Sequence, residues 1–456
     1  MSRRDIDTRG YRWFTSILLG IAMLGALAAT FAGAGDSIEM PQVGPTTVRD
    51  SLPPGRWKRA REATQQTQLT DEQRAEFARL QSIGYLTGSN PAPETDGVVQ
   101  YNRGSAQEGL NFYTSGHFPG AILTEMDGNV LHEWECAFET VWPDYVSPEE
   151  YDTPDASLQR ARNRKTWRRA HLYENGDVLA IYEGLALAKI DRDSRLIWSY
   201  RGGCHHDLEV MDDGTILVLA RDALIVPWVN PRWPILEDYV VVLDRNGNEL
   251  KRVSILDAFE RSQYRCLLDK MPPRGDVLHT NTVEMLDGSL ADRIPAFRKG
   301  NVLISVLRFS AIAVLDLESE KVVWAMGGMW REQHQPTVLG NGLLMIFDNR
   351  GKLCGDGDEE SRVMEFDPVT QEVVWSYEGG YGVEFYSHSC GSAARLSNGN
   401  TLISESDYGR AFEVTPDGEI VWEFLNPHRA GESDRYIATL YEVIRLPRDF
   451  PTTWVE

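Results

Sequence analysis

The chain has 456 residues, 42% of them hydrophobic and 25% charged, enough apolar material to bury a substantial core. Its formal net charge of −22 excludes a general nucleic-acid binder, because phosphate contacts need a basic face. The five cysteines (Cys136, Cys204, Cys266, Cys354 and Cys390) include no CxxC pair, which excludes a zinc ribbon or a dense disulfide framework and leaves one or two disulfides open.

From residue 13 to residue 35 there is no charge, a length sufficient to cross a bilayer as a helix. Arg3, Arg4, Arg9 and Arg12 precede this segment, and Asp36 and Glu39 follow it, so the N-terminus is expected inside and the remainder outside. A signal peptide cleaved after Ala32-x-Ala34 is the competing reading; the length favours a retained single-pass anchor. The expected location is the periplasmic side of the inner membrane, or the periplasm or medium if the segment is removed.

Residues 36–108 read as a linker with one helix. Within the polar stretch Trp57–Ile83, Thr70 and Gln73 have capping-box spacing, and Gly84 stands where a C-cap would fall. The stretch reads first as a solvated spacer, with a brace against the following domain as the alternative.

Residues 109–456 carry a repeat. Each unit has an apolar strand, an Asn/Asp-Gly turn, a second strand, and a closing strand bearing Trp. The turns are Asp127-Gly128, Asn175-Gly176, Asp213-Gly214, Asp287-Gly288, Asn341-Gly342 and Asn398-Gly399, pairs favoured in two-residue hairpin loops. The closing strands carry Trp134, Trp198, Trp324, Trp375 and Trp422, and a unit lacking its Trp lies at Tyr239–Ile255. Six four-stranded units predict an all-β, six-bladed β-propeller behind an N-terminal transmembrane helix and a short helical linker. Thr439–Leu446 is expected to complete the first unit, and the Trp side chains to pack between blades.

The first strand of every propeller blade lines the central channel, so equivalent positions converge on one axis. Near the start of successive first strands stand His205 and His206, then His279, His334 and His388. A lone histidine would be structural, but several at equivalent positions form a site. Arg308, in the second strand of the His279 unit, adds a permanent positive charge. Guanidinium beside neutral imidazoles suits an anionic group with several oxygens and opposes a divalent metal.

The segments HHDL, HTN, SVLRFS and QHQPTVLGNGLLMIFDNRG, followed by SRVMEFDP, resemble the bacterial arylsulfate sulfotransferase family from about Phe112 to Pro427. The run containing Gln333, His334, Phe347, Asp348 and Asn349 is the most specific part. The resemblance implies ping-pong transfer of a sulfuryl group from an aryl sulfate donor to a phenolic acceptor, without nucleotide, metal or other cofactor. It places His334 as the nucleophile that becomes sulfohistidine, His206 as acid/base, His279 as the second channel histidine, and Arg308 as the sulfuryl-binding arginine. Asn281 matches a polar position of the family, and it is expected to bind substrate together with His205, His388 and Asn349. Oligomeric state has no signature in the sequence; a dimer is compatible with it.

Arg160, Arg162, Arg164, Lys165, Arg168 and Arg169 form a basic run in an acidic chain. It either steers anionic esters into the channel or forms a surface paired with the acidic stretch 149–155. Two other functions stay open at this level. One is a propeller hydrolase or oxidoreductase with a metal on the channel histidines. The other is a non-catalytic propeller that binds sulfated or acidic ligands.

Overall fold

The computed structural model of the protein describes residues 69–81, 85–145, 161–163, 165–350, 360–379, 384–431 and 434–455. The expected membrane segment, the linker 36–56, the acidic stretch 149–155 and Cys354 lie outside these residues. Among the described residues, no helix is long and apolar enough to cross a membrane. Cys136, Cys204, Cys266 and Cys390 are all free thiols.

Six sheets succeed one another, each built on four antiparallel strands in simple order from the inner edge outward; the sheets of blades 3 and 6 each gain a fifth strand. The inner strands of blades 2 to 6 are Trp167–Leu172, Cys204–Val210, Thr280–Met285, His334–Val338 and Ser392–Arg395. Blade 1 takes its inner strand from the far end of the chain: Leu440–Leu446 pairs antiparallel with Leu110–Ser115. The six units and the closing role of the last strand are therefore as expected. Gly97–Tyr101 closes the ring a second time, as an additional outer strand beside Ile420–Leu425 of blade 6. The propeller thus takes in residues upstream of Gly109.

Closure also corrects the first turn. Asn175-Gly176, Asp213-Gly214, Asn341-Gly342 and Asn398-Gly399 join first to second strands, whereas Asp127-Gly128 joins the third strand of blade 1, Gly120–Thr124, to the fourth, Val130–Glu135. Asp287-Gly288 opens a longer excursion, pinned where Leu286 and Asn301 pair across its base. The four tight turns are not two-residue loops either. Only their glycines have positive φ, between 81° and 91°. The preceding Asn or Asp instead accepts the amide two residues on, as Asn175 Oδ1 does from Asp177 at 3.2 Å. This is the longer hairpin loop in which glycine supplies a left-handed bulge residue.

The closing-strand tryptophans join blades as expected. Trp134 donates its indole N–H to Gly176 O of blade 2 at 2.9 Å, and Trp422 donates to Met126 O of blade 1 at 3.0 Å. Each ring therefore covers its neighbour's sheet without leaving a buried donor unpaired.

The helix Asp71–Gln81, the described part of the stretch before the propeller, braces against it. Thr70 and Gln73 exchange the two hydrogen bonds of a capping box at the start of the helix Asp71–Gln81. Gln73 then reaches Arg232 O at 2.6 Å, and Glu72 pairs with Arg232 at 3.0 Å, tying the helix to the connection between the second and third strands of blade 3, Ile216–Leu224 and Ile235–Leu243.

Where blade 6 meets blade 1, Arg445 and Glu413 form an ion pair at 2.8 Å with both side chains fully buried. Glu413 also accepts from Gln107 N and Asn400 Nδ2, each at 2.7 Å, and Arg445 donates to Asn111 at 2.8 Å. Glu413→Ala leaves a guanidinium uncompensated at the ring closure and is expected to cost about 3–5 kcal/mol. Denaturant unfolding of the two proteins measures the difference.

Candidate functional site

The propeller axis is lined by two residues from each blade: Arg168 and Arg169, His206 and Asp207, Asn281 and Thr282, His334 and Gln335, Gly391 and Ser392, Tyr441 and Glu442. Adjacent residues of a regular strand face opposite sides, so paired inward residues require irregularity. It is present: ladder register shifts between Trp167 and Arg169, Cys204 and Leu208, Thr280 and Thr282, and His334 and Thr337. His206, His279 and Gln335 have positive φ of 54°, 53° and 44°. Such backbone costs of order 1–3 kcal/mol per residue and is characteristic of functional sites.

His334 opens the inner strand of blade 5 and is buried. Its Nδ1 lies 2.7 Å from Asn349 Oδ1. The Asn349 amide nitrogen donates to Ser387 O at 2.9 Å and to Cys390 O at 2.7 Å, so the oxygen must face the imidazole. Nδ1 therefore carries the proton, and the lone pair belongs to Nε2. Burial pushes the His334 pKa down to about 3; the hydrogen bond to Asn349 opposes this, and the nearby Arg168 guanidinium adds to the lowering. The imidazole is therefore neutral across the physiological range, with its lone pair on Nε2.

His205 and His206 are both buried, with their Nδ1 atoms 2.7 Å apart. His206 lines the axis, and its amide donates to Glu183 at 2.9 Å. Behind it, His205 Nε2 lies 3.7 Å from Asp238 Oδ1. Burial holds both imidazoles well below their ordinary pKa; neighbouring positive groups, Arg221 among them, add to this. The His279 ring stands 4.9 Å from that of His206, and its Nδ1 bonds Asp276. Burial opposes ionisation of Asp276, but His279, Arg221 and Arg308 outweigh it and hold the carboxyl below its ordinary range.

Arg308 stands one 3-10 turn beyond the second strand of blade 4, which ends at Val306, rather than within it. It is exposed at the rim on the His279 side, where its Nε donates to Asp276 O at 3.1 Å. Asn281 lines the axis, and its Nδ2 donates to Gln333 O at 2.8 Å. His388 does not reach the lining; its ring meets Tyr386 and Arg350. The register position of blade 6 belongs to Gly391, where an added Cβ would lie 2.5 Å from the Phe347 ring.

The sequence reading missed the charge inside the site. Arg168 is buried over the face of Tyr441, 5.1 Å from its centroid. One layer further along, Arg169 pairs with Asp207 at 2.6 Å and with Glu442, which also accepts from Gln335 at 2.9 Å, forming a charged floor. The signal was available: Arg168, His206, His334 and Gly391 each stand eight residues before their turn glycine. The rest of the basic run divides, since Lys165 pairs with Glu139 at the surface. The side chains of Arg160, Arg162 and Arg164 lie outside the described residues.

Glu183, His205 and His206 bring metal-ligand atoms within 4.8 Å of one another. The two Nδ1 atoms, however, face each other at hydrogen-bond distance, and Arg221 stands 3.5 Å from Glu183. A fixed cation there opposes a divalent ion, and the trio reads as a hydrogen-bonded support.

Resembling solved structures include a protein of unknown function from Bacteroides caccae (14% identity, 74% of this chain and 98% of that one, TM-score 0.43). Another is the WD40 propeller domain of Doa1 (10% identity, 80% and 96% coverage, TM-score 0.40). Likeness at this level carries no argument. Curated proteins return no match. The family model described as Arylsulfotransferase (ASST) matches residues 169–427, from the inner strand of blade 2 to the end of blade 6. That span is more than half of the chain, so this protein belongs to the arylsulfotransferase family.

Proposed function

We propose that the protein transfers a sulfuryl group from a phenolic sulfate ester to an acceptor phenol through a sulfohistidine at His334, without nucleotide or metal. The supporting observation is the His334–Asn349 pair, which presents a neutral Nε2 lone pair on an axis shared with Arg168 and His206. Sulfuryl transfer, like phosphoryl transfer, spreads charge over peripheral oxygens and the leaving oxygen. Alignment and fixed donors therefore supply most of the catalysis.

In this reading His334 Nε2 attacks sulfur in line with the phenolic oxygen. His206 protonates that oxygen and later deprotonates the acceptor. Arg168, Asn281 and His279 surround the sulfuryl oxygens, with Arg308 meeting the ester at the rim. Asn349 positions the nucleophile, His205 supports His206, and His388 belongs to the mouth. The segment 13–35 would hold the enzyme on the periplasmic face of the inner membrane.

Incubation with 4-nitrophenyl sulfate tests the proposal. The expected result is a burst of nitrophenolate, a protein mass increased by one sulfuryl group on a His334 peptide, and loss of that mass when phenol is added. Continuous release without an adduct would sink the covalent route.

A further inference from the structure

The site poses a problem that its geometry answers. A general acid must give up a proton, yet His206 is held neutral by burial and by the groups around it: His205, His279, Arg168 and Arg221. Glu183 also faces it, with Oε1 3.7 Å from Nδ1, but shares its charge with Arg221. An imidazolium is therefore a poor store for the proton. With Nδ1 taken by His205, exchange with a substrate falls to His206 Nε2.

Behind His206 the contacts continue inward. His205 Nδ1 meets His206 Nδ1 at 2.7 Å, and His205 Nε2, buried without a hydrogen-bond partner, lies 3.7 Å from Asp238 Oδ1. Asp238 Oδ2 is anchored by the Thr280 amide at 2.7 Å. The 3.7 Å gap is one small ring adjustment from a hydrogen bond.

We infer that His205 and Asp238 form a proton relay behind His206, in which the acid form is the Asp238 carboxylic acid with both imidazoles neutral. This rests on the sulfuryl-transfer reading for its use. In the donor half-reaction the His334 Nε2–sulfur bond forms and the sulfur–oxygen bond breaks, its electron pair leaving on the phenolic oxygen. That oxygen takes the proton of His206 Nε2. His206 Nδ1 takes the proton of His205 Nδ1, and His205 Nε2 takes that of Asp238. The negative charge ends on the Asp238 carboxylate, and neither imidazole becomes charged. The acceptor phenol reverses every proton move as its oxygen displaces the imidazole from sulfur. Burial and the adjacent Asp276 carboxylate push the Asp238 pKa up to about 7, which suits a store that both loads and unloads near neutrality.

Two measurements test the relay. Asp238→Asn and His205→Gln keep approximate shape but cannot pass the proton. Both variants are expected to lose about 10²–10³-fold in desulfurylation of phenyl sulfate, whose leaving group needs protonation, and less than about tenfold with 4-nitrophenyl sulfate. Equal losses with both esters would reduce the pair to structural support and overturn the relay. Independently of turnover, long-range proton–nitrogen NMR of the resting protein should show His205 and His206 neutral from about pH 5 to 8. Their tautomer signals should shift with a midpoint near 7, and Asp238→Asn should abolish that shift. An imidazolium in this range, or an unchanged midpoint in the variant, overturns the relay. Absence of transfer from any aryl sulfate sinks the sulfuryl-transfer reading instead and leaves the NMR to decide the relay.

Discussion

Replacing His334 with asparagine is expected to lower aryl sulfate turnover by at least about 10⁴-fold, on the scale seen when a covalent nucleophile is removed. Asparagine can still meet Asn349, so the strand start and the Phe347 pairing should persist. It offers no lone pair able to attack sulfur. In this reading His206 does not substitute, because its Nε2 holds the proton meant for the leaving oxygen, and His279 lies off the axis lining with its Nδ1 bonded to Asp276. Asn349→Leu provides the companion measurement. It retains the imidazole but removes the acceptor that fixes its tautomer, and a loss of about 10²–10⁴-fold is expected from misorientation alone. Single-turnover release and intact mass distinguish the two: the first variant forms no adduct, and the second forms it slowly. An adduct of normal rate in His334→Asn would move the nucleophile elsewhere.

The blades were legible because the same local chemistry recurs: glycine at a left-handed turn position in all six, and Trp on the closing strand in five. Closure was partly legible, since Thr439–Leu446 reads as an orphan strand, but Gly97–Tyr101 looked like linker because its partner lies more than three hundred residues away. The histidines were legible through register, and His334, His206 and Asn281 do line one axis. His388 was misplaced, because it stands eleven residues before its turn glycine, three further than the position that Gly391 fills on the axis. Arg168 was hidden by its company, for in sequence it is one more residue of a charged run. Asp238 and Asp276 come from a third strand and an added edge strand, so no spacing rule brings them to His205 and His279. Only the packed sheets do.

Arg168→Gln is expected to reduce the donor half-reaction by about 10²–10³-fold, the cost of deleting one preorganised donor to a developing anion. The argument is one of environment. Arg168 is buried, faces Tyr441 rather than water, and shares the axis with His334, so in the proposed reaction its charge would act on the sulfuryl oxygens with little screening. Lys165, three residues earlier in the same basic run, is half exposed and paired with Glu139. Lys165→Gln should therefore change the rate by less than about twofold, and any effect should fade with added salt. Arg168→Lys should recover only part of the loss, because an ammonium cannot offer the bidentate fork that a sulfuryl group accepts. Rates for all three variants at low and high salt separate a site residue from electrostatic steering. If Arg168→Gln and Lys165→Gln lose equally, and salt erases both effects, the run steers substrate from the surface. If only the Arg168 variants lose activity, and salt leaves the loss in place, the positive charge belongs to the reacting centre itself.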